Sequence, residues 1–207
     1  RNHRVICSEG HTVLEPKTDK ELILELQQGE LQALGELYDR YQQLVFRTAL
    51  GITGDAEAAA DLLQDTFLRL NRFCSRVDPQ RPLQPWLYRV TANLAYTYVK
   101  RRSRGFQVLR EMGEWLTREF RPGPQAIVEH EELCGVIKEA LATLPVSQRV
   151  VVVLYYVNDL SLQEISEIIE VPVGTVKSRL YYGRSKLRQE LGVITDLRPE
   201  VHFGYTA

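Results

Sequence analysis

The fold of the C-terminal part of the chain is decided by residues 160–191, which read LSLQEISEIIEVPVGTVKSRLYYGRSKLRQEL. Ser161 and Glu164 have the Ser-x-x-Glu spacing of a capping box, which predicts the start of a helix. Apolar residues then recur at helical spacing until Pro172, whose ring disfavours a helical backbone in the residue before it. A second helix follows, and its apolar stripe is formed by Val176, Leu180, Gly183 and Leu187. Two helices joined by a tight turn predict a helix-turn-helix.

The outward face of the second helix is rich in hydroxyl, aromatic and cationic side chains. At about 100° per residue, the residues on or beside that face are Thr175, Lys177, Ser178, Arg179, Tyr181, Tyr182 and Arg184. No acidic residue occurs between Glu170 and Glu190, so no carboxylate repels phosphate there. The pattern is typical of a DNA-recognition helix. The alternative is a solvated basic helix that only packs on its neighbour.

The same region carries a family resemblance. Residues 144–191 resemble the C-terminal promoter-reading domain of the extracytoplasmic-function (group 4) sigma factors of bacterial RNA polymerase, in the sigma-70 family, and the string VPVGTVKSRL at 171–180 is the most specific part. The resemblance implies that residues 129–191 form a sigma region 4-like helix-turn-helix domain. It also implies that the outward residues named above bind the −35 promoter element.

Within the C-terminal segment, three residues depart from the usual pattern of that family. Glu170 stands where the turn usually has Gly, so a left-handed backbone there would cost on the order of 1 kcal/mol. Gly183 replaces a usual Ala inside the helix, at a similar cost. Tyr182 stands where Arg is frequent, which removes a bidentate contact to guanine. These departures leave the preferred −35 sequence open, although −35 binding itself is expected.

Composition sets the broad class. A hydrophobic fraction of 44% is ordinary for a folded globular protein, and the net charge of −1 means that affinity for nucleic acid must come from local patches. The longest apolar run, residues 150–157, is too short to span a bilayer, and no signal-peptide pattern opens the chain. We therefore expect a cytoplasmic protein.

The cysteines and histidines do not form a convincing metal or disulfide framework. Three cysteines are an odd number and are widely spaced, which argues against disulfides. Intervals of four residues separate the members of two groups: His3, Cys7 and His11, and His130 and Cys134. That spacing could present metal ligands on a helix, but residues 1–18 show no helical pattern and are expected to be a loose arm. We expect no metal and no cofactor.

Helical patterning begins at Asp19 and includes a helix at 56–73, with Asp55 as its expected N-cap. One face of this helix is apolar. The opposite stripe consists of Asp61, Gln64, Asp65, Leu68 and Arg72. A leucine exposed among carboxylates is typical of a docking surface, although a lone surface leucine is also common.

A proline-containing loop is expected at 74–85 and a helix at 86–102. The exposed stripe of that helix and its basic end contain Arg89, Asn93, Tyr96, Lys100, Arg101 and Arg102. Cations interleaved with Asn and Tyr can neutralise phosphates and offer hydrogen bonds and stacking to unpaired bases. The alternative is a basic helix end that only complements the helix dipole.

These N-terminal segments resemble the same sigma-factor family. The stripe of residues 61–72 is similar to the segment that grips the clamp coiled coil of the polymerase, and residues 81–104 resemble the reader of the −10 element. The resemblance implies that residues 19–104 form a sigma region 2-like domain, and that the loop at 74–82 holds a base extruded from melted DNA. Residues 105–128 are then a linker, and residues 192–207 stay unassigned.

We therefore expect an all-α protein with two small helical domains joined by a flexible linker, the C-terminal domain containing the helix-turn-helix. Its expected function is that of a sigma factor, with core RNA polymerase, promoter DNA and an anti-sigma factor as partners and no small-molecule substrate. No catalytic constellation is visible, so an enzyme is not expected. Two alternatives stay open: a sigma-like decoy that binds an anti-sigma factor without DNA, and an ordinary helix-turn-helix regulator.

Overall fold

The computed structural model describes the backbone of residues 17–112 and 128–191, and the side chains of 17–103 and 136–191. All regular structure in these ranges is helical, which confirms the predicted all-α class. The helices are α1 (Asp19–Gln27), α2 (Leu31–Thr53), α3 (Ala56–Phe73), α4 (Gln84–Met112), α5 (Val128–Thr143), α6 (Val146–Tyr156), α7 (Leu162–Ile169) and α8 (Val173–Leu191). A short 3-10 helix, Cys74–Arg76, follows α3.

Local signals set most helix boundaries. Asp55 caps α3 as predicted, because its carboxylate accepts hydrogen bonds from the backbone N–H groups of Glu57 and Ala58. The predicted capping box between Ser161 and Glu164 is confirmed at the start of α7. Gly54 ends α2 with a φ of 68°, a left-handed backbone that suits glycine.

The boundaries of α4 differ from the prediction. The expected loop at 74–85 extends too far, because α4 already begins at Gln84. Pro85 is tolerated in this first turn, since the N–H group that proline lacks would have no partner inside the helix there. At its other end the helix continues past Arg102 to Met112. Residues 105–112, predicted as the start of the linker, are therefore helical. The rest of the predicted linker up to residue 127, the N-terminal arm up to residue 16 and the tail lie outside the described residues, as do the side chains of His130 and Cys134.

Helices α1 to α4 enclose a first hydrophobic core. Its fully buried side chains include Leu22, Leu37, Leu70, Leu83 and Leu87. Since these residues come from all four helices and the loop before α4, the core fixes α3 and α4 side by side. The outer faces of α3 and α4 are thereby held in a fixed position relative to each other.

A second core is centred on α6. Every residue from Val150 to Leu154 is buried, so the helix is covered on nearly every side. Helices α7 and α8 cover one part of it, and the buried stripe of α8 is the predicted one: Val176, Leu180, Gly183 and Leu187. The same cluster also contains residues of α2 and α4, among them Ala49, Ile52 and Ala92. The N-terminal and C-terminal helices thus share one apolar core.

The packing at Gly183 generates a stability prediction. A Cβ atom at this position would lie 2.8 Å from Cγ2 of Val152, closer than packed carbon atoms tolerate. We expect Gly183→Ala to lower the free energy of unfolding by up to about 2 kcal/mol, because overpacking costs about 1–3 kcal/mol and is only partly offset by a helix-propensity gain of about 1 kcal/mol. Urea denaturation measures this change.

The control is Gly35→Ala in α2, where a Cβ would meet no atom within 4 Å. There only the propensity gain applies, so the free energy of unfolding should rise. A stabilised Gly183→Ala variant would contradict the packing argument.

Candidate polymerase and nucleic-acid interfaces

The first candidate surface is the outer face of α3, which consists of Asp61, Gln64, Asp65, Leu68 and Arg72. All five side chains are exposed, and Leu68 has 63% of its surface accessible. The opposite face of α3 is buried in both cores. A rigid helix therefore displays a large apolar side chain beside acidic groups, which is an arrangement suited to protein docking.

The second candidate surface lies along one side of α4. Arg89, Asn93 and Lys100 are exposed and Tyr96 is half-buried. The Lys100 Nζ lies 5.2 Å from the centroid of the Tyr96 ring, within the range of a cation–π contact. Four of the predicted −10 residues thus follow one side of the helix, with Arg101 exposed beyond them.

Arg102, the last of the predicted −10 residues, is tied to the start of α3. Its guanidinium donates to the carboxylate of Asp55 at 2.6 Å. The pKa of Asp55 is lowered mainly because the N–H of Ala58 donates to its carboxylate, and additionally because of Arg102. One carboxylate therefore caps α3 and holds the basic segment of α4 that contains Arg102. The sequence indicated the cap, but no local signal indicated the pairing with a residue so distant along the chain.

The N-terminal half of α4 lies against the helix-turn-helix. The Arg89 guanidinium donates to the backbone carbonyl of Glu167 at 2.6 Å and pairs with the carboxylate of Glu170 at 2.9 Å. Asn93 and Tyr96 line a cleft together with Arg179 of α8. Sequence patterns missed this contact, because they place each residue on a helix face without showing what covers that face.

Glu170 forms the turn between α7 and α8. Its φ of 54° confirms the left-handed backbone expected at this position. The turn is fixed by the Ser166 hydroxyl, which donates to the carbonyl of Val171 at 2.7 Å. A non-glycine residue in this conformation is strained, and here its carboxylate is the group that contacts Arg89.

The third candidate surface is the outer side of α8. Lys177, Ser178, Tyr181 and Tyr182 are exposed, whereas Thr175, Arg179 and Arg184 are half-buried. The rings of Tyr181 and Tyr182 make an edge-to-face contact with centroids 5.4 Å apart. The Ser178 hydroxyl donates to the carbonyl of Thr175 at 3.0 Å. The two tyrosines thus form one aromatic projection with Lys177 and Ser178 beside it.

A metal site and a membrane-spanning helix are both absent from the part of the chain that the structure describes. No cluster of three or more His, Cys, Asp or Glu side chains there could hold a metal ion. Within the same residues, no helix is both long and apolar enough to cross a membrane.

Family profiles match both halves of the chain. Residues 37–105 match sigma-70 region 2, and residues 134–187 match sigma-70 region 4. Among similar proteins, the ECF RNA polymerase sigma factor SigW of Bacillus subtilis is 30% identical over 83% of this chain and 96% of its own length. The ECF RNA polymerase sigma factor SigL of Mycobacterium tuberculosis is 34% identical over 79% of this chain and 93% of its own.

Solved structures show the same fold. The structure of CnrH in complex with the cytosolic domain of CnrY matches with a TM-score of 0.61 at 24% identity, covering 86% of this chain and 99% of the other. The sigma factor RpoE of Bartonella quintana, solved with the anti-sigma factor NepR, matches with a TM-score of 0.56 at 22% identity, covering 83% and 99%. From the two sigma-70 regions and these relatives, the chain belongs to the extracytoplasmic-function sigma factors, the non-enzymatic subunits that direct RNA polymerase to promoters.

Proposed function

We propose that three faces of this sigma factor divide its work: α3 binds core RNA polymerase, α4 reads the −10 element and α8 reads the −35 element. The observation that carries the proposal is the outer side of α8, where two exposed tyrosines lie among cations on a helix whose opposite stripe is buried. A helix held in this way can enter the major groove without losing its packing.

On α8, cations and tyrosines have separate roles. Lys177, Arg179 and Arg184 contact mainly phosphates, which positions the helix, and Lys177 near the helix start also reaches a base edge. Ser178, Tyr181 and Tyr182 supply most of the base contacts, since they project between the cations. Thr175 lies near the helix start and adds a contact there. The −35 preference then depends mainly on residues that carry no charge.

On α4, the stripe from Arg89 to Arg102 combines charge with stacking. The Tyr96 ring already holds a cation on its face, and a flat aromatic ring of this kind also stacks on an unpaired base. Lys100 and Arg101 neutralise backbone phosphates beside it. This division suits a surface that binds one strand of melted −10 DNA.

On α3, the docking surface combines apolar and acidic side chains. Leu68 supplies apolar contact and the acidic pair Asp61 and Asp65 supplies charge, so the matching surface on the polymerase is apolar with basic residues around it. We propose that the chain itself carries no catalytic group and that the polymerase performs the chemistry. The sigma factor then acts in the cytoplasm, where core polymerase is found.

An anti-sigma factor is the proposed regulator of this protein. A similar solved structure pairs a sigma factor with an anti-sigma factor, as its title states. The fold likeness supports the same kind of partner here. Co-purification of this chain with a dedicated inhibitory protein would identify it.

A triple substitution tests the polymerase surface. We expect Asp61→Ala, Gln64→Ala and Asp65→Ala together to weaken binding to purified core polymerase at least tenfold, because the variant loses the polar contacts of the proposed docking surface. A tenfold loss corresponds to about 1.4 kcal/mol of binding free energy. All three side chains are exposed, so helix content by circular dichroism should not change. Surface-immobilised core polymerase provides the binding measurement.

The matched control replaces Glu36, Asp39 and Gln43 on α2, which removes the same charge from another helix surface. Core affinity should stay unchanged in this control. Equal losses in the two triple variants would show a general charge effect and would remove the assignment of α3.

Two single substitutions test the division of roles on α8. Tyr181→Ala should cost about 1–3 kcal/mol on the preferred −35 duplex and reduce the preference for it. Arg184→Ala should instead weaken binding about equally on all duplexes and lower the salt slope by about one unit. Titrations of holoenzyme on matched and mismatched −35 duplexes at several salt concentrations measure both effects. The reverse pattern would show that the two roles have been assigned the wrong way round.

A further inference from the structure

We propose that a cavity bordered by α2, α5 and α6 binds a free aliphatic monocarboxylate of the size of a medium-chain fatty acid. The alkyl chain lies inside the cavity, and the carboxylate contacts the cations that line it. None of the residues that line this cavity belongs to the faces of α3, α4 and α8 described above. The site therefore adds a small-molecule ligand to the polymerase, promoter and protein partners of this sigma factor.

The cavity is mainly apolar. Its volume is about 430 Å³, and small-molecule sites in proteins have volumes of about 300–1,000 Å³. Most of the lining consists of aliphatic side chains and glycines, among them Leu50, Gly51, Gly54, Ile137, Leu141 and Val157. These groups offer close contact but no side-chain hydrogen bonds, which suits an alkyl chain and not a polar ligand such as a sugar or a nucleotide.

Two large apolar side chains at the cavity are incompletely covered. Ile137 of α5 has 43% of its surface exposed, and Val157, which follows the last residue of α6, has 42% exposed. Both side chains line the cavity. An alkyl chain bound there would remove this apolar surface from water, and such burial is the main source of affinity for an apolar group.

Exposed cations at the same cavity specify the other end of the ligand. Arg47 of α2 and Lys138 of α5 line the cavity and are exposed. Among the described residues, neither forms an ion pair and no lining side chain is acidic. The Lys138 side chain passes Gly54, where a Cβ atom would lie 3.8 Å from its Cε. A carboxylate can pair with the ammonium and bind the guanidinium through two hydrogen bonds.

A third cation at the cavity is buried. Arg149 is 7% exposed, and its guanidinium donates to the backbone carbonyls of Ile52, Ala142 and Leu144. Within the part of the chain that the structure describes, its Nε has no hydrogen-bond partner and no carboxylate neutralises its charge. Since little water screens a buried charge, this guanidinium attracts an anion at the cavity. An uncharged ligand would leave all three cations without a counterion.

Calorimetric titration of the full-length chain with sodium octanoate tests the site. Octan-1-ol supplies the same alkyl chain without the charge, and sodium acetate supplies the carboxylate without the chain. We expect octanoate to bind at one site per chain, and octan-1-ol to bind at least about tenfold more weakly because it lacks charge-assisted hydrogen bonds. Acetate should not bind measurably, because it buries almost no apolar surface.

Three results of these titrations would overturn the proposal. Absence of octanoate binding would show that the cavity is only a gap in the packing. Equal affinities for octanoate and octan-1-ol would remove the role of the cations. Equal affinities for octanoate and acetate would remove the role of the apolar lining.

A double substitution tests the position of the carboxylate. Arg47→Gln with Lys138→Gln removes both exposed cations and should weaken octanoate binding at least about tenfold without changing the binding of octan-1-ol. The matched control, Lys20→Gln with Arg69→Gln, removes one lysine and one arginine at exposed positions outside the cavity. Octanoate affinity should not change in the control. Equal losses in the two double variants would show a general effect of net charge and would overturn the assignment of the cations.

A pair of neighbouring substitutions tests the position of the alkyl chain. Ile137→Asn should weaken the binding of octanoate and of octan-1-ol at least about threefold, because apolar contact is lost. Val136→Asn is the control, since Val136 is 45% exposed on the same helix but does not line the cavity. Both side chains are exposed, so the fold should persist in both variants. Equal effects of the two substitutions would contradict binding of the alkyl chain against α5.

Discussion

The burial of α6 on nearly every side is the constraint on which the rest of the structure depends. A helix with five consecutive buried residues, Val150 to Leu154, cannot be covered by α7 and α8 alone. Helices α2 and α4 supply the missing cover. The same apolar segment therefore supports the helix-turn-helix and joins the two halves of the chain. Placement of the proposed DNA-reading helix and the packing of the two halves against each other are two consequences of one packing requirement.

Two glycines show how closely the neighbours of α6 must approach. Gly183 of α8 receives Val152, and Gly51 of α2 receives Val153. A methyl group at Gly183 would force a neighbour to shift, and at Gly51 it would press Val153 by a few tenths of an ångström. An Ala at position 183 would require Val152 or the backbone of α8 to shift. The departure at Gly183 is thus linked to packing at α6, whereas Glu170 makes its polar contact with Arg89 of α4.

Much of the fold follows from local sequence, while the contacts between the halves do not. Helix α3 was predicted from its first residue to its last, because Asp55 supplies a side-chain cap and the apolar stripe is regular. The buried stripe of α8 was predicted for the same reason. The start of α4 was missed, since a proline in a first helical turn gives the same signal as a loop. Small residues such as Gly51 and Ala92 give weak periodic signals, so nothing in the pattern indicated that α2 and α4 cover α6. The candidate site residues were placed on helix faces by sequence alone, but the ties of Arg89 to Glu170 and of Arg102 to Asp55 needed the tertiary structure.

Transcription in vitro with purified core RNA polymerase tests the central claim most directly. The template is a library of promoter-containing fragments from the source genome, and the 5′ ends of the transcripts are mapped with and without the purified chain. The account predicts that the chain causes initiation at a discrete set of sites that share one −10 and one −35 element at constant spacing. Transcripts identical to those of core polymerase alone would contradict it.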